Sequence, residues 1–150
     1  MRLLFNILAI TGAAMFAGVL LAIGVILGGY WRGLAAADFL VSFKGTLQFI
    51  PKAIVFVSIA ALMGLAGSVW LSWGVKDART LWLLAAACTM ILLVFTAVWF
   101  SPTNAQFAAG SLPAIEVPAK LNTWLILHNI RIALAALASV LGVIATGRQV

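Results

Sequence analysis

Four long apolar runs limit what this chain can fold into. They cover residues 3–29, 50–73, 81–100 and 121–146. Each reaches the roughly 20 residues that carry a helix across a hydrocarbon core of about 30 Å. Helices suit that solvent because they satisfy their backbone hydrogen bonds internally. Hydrophobic residues make up 65% of the chain and charged residues 8%, against about half and a quarter in soluble domains. The expected fold is all-α: one integral membrane domain over residues 1–150, built as a four-helix transmembrane bundle. The first run follows Arg2 but far exceeds the 7–15 apolar residues of a signal-peptide core, so it reads as the first span.

The net charge of +6 is scattered over single residues. No basic run forms a phosphate-tracking patch, which argues against nucleic acid as a partner and for the lipid bilayer and its anionic head groups. The basic residues do not settle orientation. Arg2, Lys76, Arg79 and Arg148 fall on the face of the termini, and Arg32, Lys44, Lys52 and Lys120 on the other. The compact Lys76-Asp77-Ala78-Arg79 turn favours both termini in the cytoplasm of a bacterial inner membrane.

The connections carry some structure of their own. Leu40, Phe43, Leu47 and Ile50 recur at helical spacing and predict a short interfacial helix after span one, with Asp38 as its N-cap. Pro51 fits the first turn of span two. Pro102, Pro113 and Pro118 predict an irregular fold-back over residues 101–120. All six tryptophans fall near span ends, where indole rings anchor at head-group depth; only Trp124 also shares a stripe with His128. Small residues four apart, Ala14, Gly18 and Ala22 in span one and Ala60, Gly64 and Ser68 in span two, predict close helix packing in the bundle or in a homo-oligomer.

Chemistry concentrates in span four. Leu121, Trp124, His128, Arg131, Ala135, Ala138 and Gly142 alternate spacings of three and four on one stripe. His128 is the sole histidine, and Arg131 is the one basic residue deep in an apolar run. A charge at that depth costs at least about 2.5–3.5 kcal/mol and must face the bundle interior. Topology puts Asn104, Asp38 and Glu116 on the same membrane side as candidate partners, and Asp77 on the opposite one.

Ser101-Pro102-Thr103-Asn104 after span three and Trp124-x-x-x-His128-x-x-Arg131 in span four resemble the anthrone oxygenase-like membrane proteins, a family of small four-span proteins. Characterised fungal relatives oxidise an anthrone to an anthraquinone with molecular oxygen and no recognised cofactor. The resemblance carries over to Pro102, Asn104, Trp124, His128 and Arg131. It implies catalytic roles for His128 and Arg131. His128 would act as base and Arg131 would stabilise an enolate or phenolate. Trp124, Asn104, Asp38 and Glu116 are the candidate substrate-binding residues, with Trp124 stacking on a flat anthrone- or quinol-type ring.

Two other readings stand beside this one. His128, Asn129 and Arg131 can instead tie helices together, and the nearly loopless chain then suits an accessory subunit of a larger membrane complex. No metal or other cofactor is expected. One histidine, one cysteine and three acids cannot build a three- or four-ligand site, although haem on His128 alone needs one axial ligand. Cys88 sits in an apolar helix as a packed thiol.

Overall fold

A computed structural model describes residues 1–149. Among the described residues five helices make up the fold: α1 (Arg2–Arg32), α2 (Ala36–Thr46), α3 (Ile50–Leu71), α4 (Lys76–Ala109) and α5 (Val117–Gly147). The four long ones are apolar enough to cross a membrane, and they form the expected bundle. Packing is uneven. α1 lies between α3 and α5, α5 lies between α1 and α4, and α3 meets α4 only sparsely.

Glycine sets the closest contact. A Cβ at Gly64 would run into the backbone of Ala9, and one at Gly12 would reach the backbone of Ala61 at 2.5 Å. Span two uses its small stripe as expected. Span one does not: Ala14, Gly18 and Ala22 face outward, and Ala9, Gly12, Ala13 and Phe16 face α3 and α5 instead. The inward face is chosen by Phe16 and Leu20, whose bulk fills the middle of the core.

Three further expectations need correction. α4 runs on to Ala109, so residues 101–109 are helical and only the segment before Val117 folds back irregularly. Proline within a helix removes a hydrogen bond and collides with the carbonyl four residues back. A wide π-helical turn at Thr96–Phe100 precedes Pro102 and makes room for it, and the Ser101 hydroxyl donates to the Thr96 carbonyl at 3.1 Å. Gly110, at φ 60°, then ends the helix in the left-handed region that favours glycine.

The N-cap of α2 is Ala35, not Asp38. Ala36 and Ala37 extend the helix two residues upstream, leaving Asp38 exposed in its first turn. The helix also ends at Thr46, and the pair it buries is Phe39 and Phe43, which pack on the 101–109 end of α4.

The tryptophans split. Trp70 and Trp73 are exposed anchors, but Trp31 and Trp82 are wholly interior. Trp82 fits against Ala138, Ala145 and Gly142, so the small second half of the α5 stripe is the socket for an indole. A Cβ at Gly142 would lie 3.0 Å from that ring.

This packing sets apart two glycines that look alike in sequence. Gly64→Val is expected to lower stability by about 1–3 kcal/mol. Gly18→Val, which opens onto empty space, should leave the thermal midpoint in detergent unchanged. Equal effects of the two would contradict the α1–α3 packing.

Candidate functional site

All seven residues of the α5 stripe are buried. Its first half builds a polar pair in an apolar setting, and α1 and α4 complete it.

His128 is 1% exposed. Its Nε2 lies 2.8 Å from the Leu20 carbonyl of α1, and its Nδ1 lies 3.5 Å from Nη1 of Arg131. A carbonyl only accepts and a guanidinium only donates. Together the two partners assign one tautomer: a neutral ring with its proton on Nε2 and its lone pair on Nδ1, towards Arg131. Gly24, one turn beyond Leu20, lets the ring come this close, since a Cβ there would sit 3.0 Å from Cδ2.

Trp124 covers the imidazole. The two rings are stacked at 4.7 Å with 10° between their planes. The indole Nε1 donates to Asn104 Oδ1 at 2.8 Å, which fixes Trp124 to α4. Asn104 reaches that position because α4 stays helical past Pro102.

Arg131 is 3% exposed, and its guanidinium carbon lies 4.2 Å from the centre of the Phe100 ring. Such a contact returns about 2 kcal/mol when desolvated, against a burial cost of about 2.5–3.5 kcal/mol or more. Compensation is incomplete. The guanidinium Nε has no hydrogen-bond partner, and no carboxylate bonds to the group among the described residues.

A recess of about 180 Å³ opens onto this pair. His128 and Arg131 form its polar end, Trp31, Phe43 and Trp124 its aromatic walls, and Thr96, Ser101 and Asn104 a polar strip along α4. An apolar cavity of about 150 Å³ holds benzene, so the recess accepts about one aromatic ring, and a fused system would extend out of its mouth. A porphyrin is far larger than this recess.

The sequence-stripe residues Trp124, His128 and Arg131 come together with Asn104. Asp38 and Glu116 do not: both are exposed, and neither lines the recess. Tyr30, Arg32 and Gln48 are also turned outward, and Asn129 is exposed. Sequence reasoning missed Leu20, whose contribution is a backbone carbonyl and carries no side-chain signal. It also missed Gly24 and Phe100. Each of these lies in a π-helical turn, Ile23–Leu27 in α1 and Thr96–Phe100 in α4. Both turns border the His128–Arg131 pair, in keeping with the frequent use of such bulges at functional sites.

The family model described as anthrone oxygenase matches residues 39–141. The match holds Asn104, Trp124, His128 and Arg131, whereas Leu20 and Gly24 precede it. No curated protein and no solved structure matches the chain.

With a single histidine, the tautomer is directly readable. Nitrogen NMR of ¹⁵N-histidine-labelled protein at neutral pH is expected to show a protonated Nε2 and an unprotonated Nδ1. A proton on Nδ1 would contradict the geometry.

Proposed function

The chain belongs to the anthrone oxygenase family, and from that premise we propose that it is an integral membrane oxygenase that acts without a cofactor on a flat aromatic of the anthrone or quinol type. In this proposal both termini face the cytoplasm of a bacterial inner membrane, as the compact turn at Lys76–Arg79 favours. The observation that carries the reading is the convergence of the His128 lone pair and an incompletely partnered arginine, 3.5 Å apart, at the end of an aromatic-walled recess.

That spacing suits an O–H acid. A base and a cation so close meet on one oxygen, such as the hydroxyl of a phenol or of the enol form of an anthrone. In a C–H acid of this class the proton and the developing oxyanion lie at opposite corners of a ring. Nδ1 of His128 takes the hydroxyl proton, and Arg131 holds the oxyanion. Where the electron-rich ring carbon opposite that oxygen carries hydrogen, as in an anthrone, it forms a C–O bond to dioxygen, giving a peroxide. Imidazolium returns its proton to the peroxide. Loss of the remaining C–H proton with O–O cleavage releases water and leaves a carbonyl. One atom of the dioxygen ends in the quinone and the other in water.

A non-catalytic accessory subunit is the second reading, and one observation favours it. Ala14, Gly18 and Ala22 form a small-residue stripe on the outside of the bundle, the kind of surface on which membrane helices associate.

Oxygen uptake by purified protein given anthrone tests the first reading. His128→Gln and Arg131→Gln are each expected to lower turnover by about a hundredfold or more. Turnover equal to the parent's would remove the residue from catalysis. Reproducible co-purification with a large complex that still admits the His128→Gln protein would favour the second reading.

A further inference from the structure

The recess has two sides, and they are built differently. Towards the loop face it is closed by interlocked rings. Phe39 and Phe43 of α2 meet Phe107 of α4 at 5.0 and 5.1 Å, and Trp31 meets Phe43 at 5.1 Å and Trp124 at 6.0 Å. All five are buried. A separate hollow with Arg32 and Asn122 lies on the loop side of Trp31 and contains neither His128 nor Arg131.

Towards the side of the bundle no such plug is present among the described residues. The lining there comes from Pro51 and Val55 at the start of α3 and Ser101 on α4, all exposed, where the two helices scarcely touch. Val55 is 56% exposed. α3 has 22 residues, so it is about 33 Å long, little more than the hydrocarbon core of about 30 Å. Its second turn, which carries Val55, therefore lies in the acyl region. Apart from Arg131 at its inner end, no charged residue lines the recess among the described residues.

We propose that the recess is loaded from within the bilayer, through the gap between the first turns of α3 and the end of α4, by a neutral, lipid-dissolved aromatic whose acidic hydroxyl ionises only on reaching Arg131. This rests on the aromatic-ligand reading above and adds to it the route and the charge state of the ligand. A molecule already anionic would have to cross an apolar mouth without a counterion, at the cost that buried charges carry. A neutral aromatic crosses it readily and meets the incompletely partnered guanidinium at the end.

The test uses the full chain in phosphatidylcholine nanodiscs. A nitroxide at Val55→Cys, in a Cys88→Ala background, should collide with dissolved oxygen and not with a water-soluble nickel chelate, as a label at the outward-facing Val94→Cys does. Collision with the chelate to the extent seen at Asp77→Cys would overturn the route. Anthraquinone serves as the binding probe, read by quenching of tryptophan fluorescence. Val55→Ser should bind as fast as the parent, whereas the bulky Val55→Phe should slow association by about tenfold or more with little change in affinity. An unchanged rate in Val55→Phe, with the parent binding, would overturn the route alone. Failure of the parent to bind anthraquinone would overturn the aromatic-ligand reading and the occupant with it, while the label still reads where the mouth opens.

Discussion

Arg131 is the fifteenth residue of the 31 in α5, near the middle of a helix long enough to cross a membrane, and its charge has no carboxylate partner among the described residues. Much of the upper bundle is arranged around that charge. Phe100 lies under the guanidinium, His128 turns a lone pair towards it, and the Leu20 carbonyl fixes the tautomer that makes the lone pair available. Trp124 stacks on His128 and is itself fixed by Asn104. Each of these groups holds the next. The guanidinium at the end of this series still keeps its Nε–H unpaired among the described residues.

The arrangement depends on irregular backbone. Each π-helical turn supplies one residue that touches the pair: Gly24 lets α1 approach the imidazole, and Phe100 carries the cation. The second turn also lets α4 continue through Pro102, which brings Asn104 to Trp124. Where the bundle is regular, around Trp82 and Gly142, the indole packs against small residues of α5.

The four spans and the buried stripe of α5 were legible because hydropathy and a spacing of three and four report which side of a helix avoids lipid. Partner choice was not. Asp38 and Glu116 were named because topology puts them on the right membrane side, yet both are exposed, Asp38 in the first turn of α2 and Glu116 just before α5. The sequence also contains no rule for a wide helical turn, so Pro102 read as a span end. Trp31 and Trp82 read as anchors because position near a span end says nothing about which way an indole points. The outward turn of Ala14, Gly18 and Ala22 has the same origin: small-residue spacing marks a face that can pack closely, and Phe16 and Leu20 decided which face did.

If Arg131 is kept for a ligand, its burial is a standing cost to the fold, since replacing a buried, poorly paired charge by an apolar side chain of similar size is often neutral or stabilising. If it is a structural clip, its loss should weaken the bundle. Thermal unfolding of the parent and of Arg131→Met, each with and without anthraquinone, separates the two. The functional arrangement described here expects Arg131→Met to unfold at or above the parent's temperature and to lose the parent's ligand-induced increase. A protein several degrees less stable, with that increase intact, would contradict it.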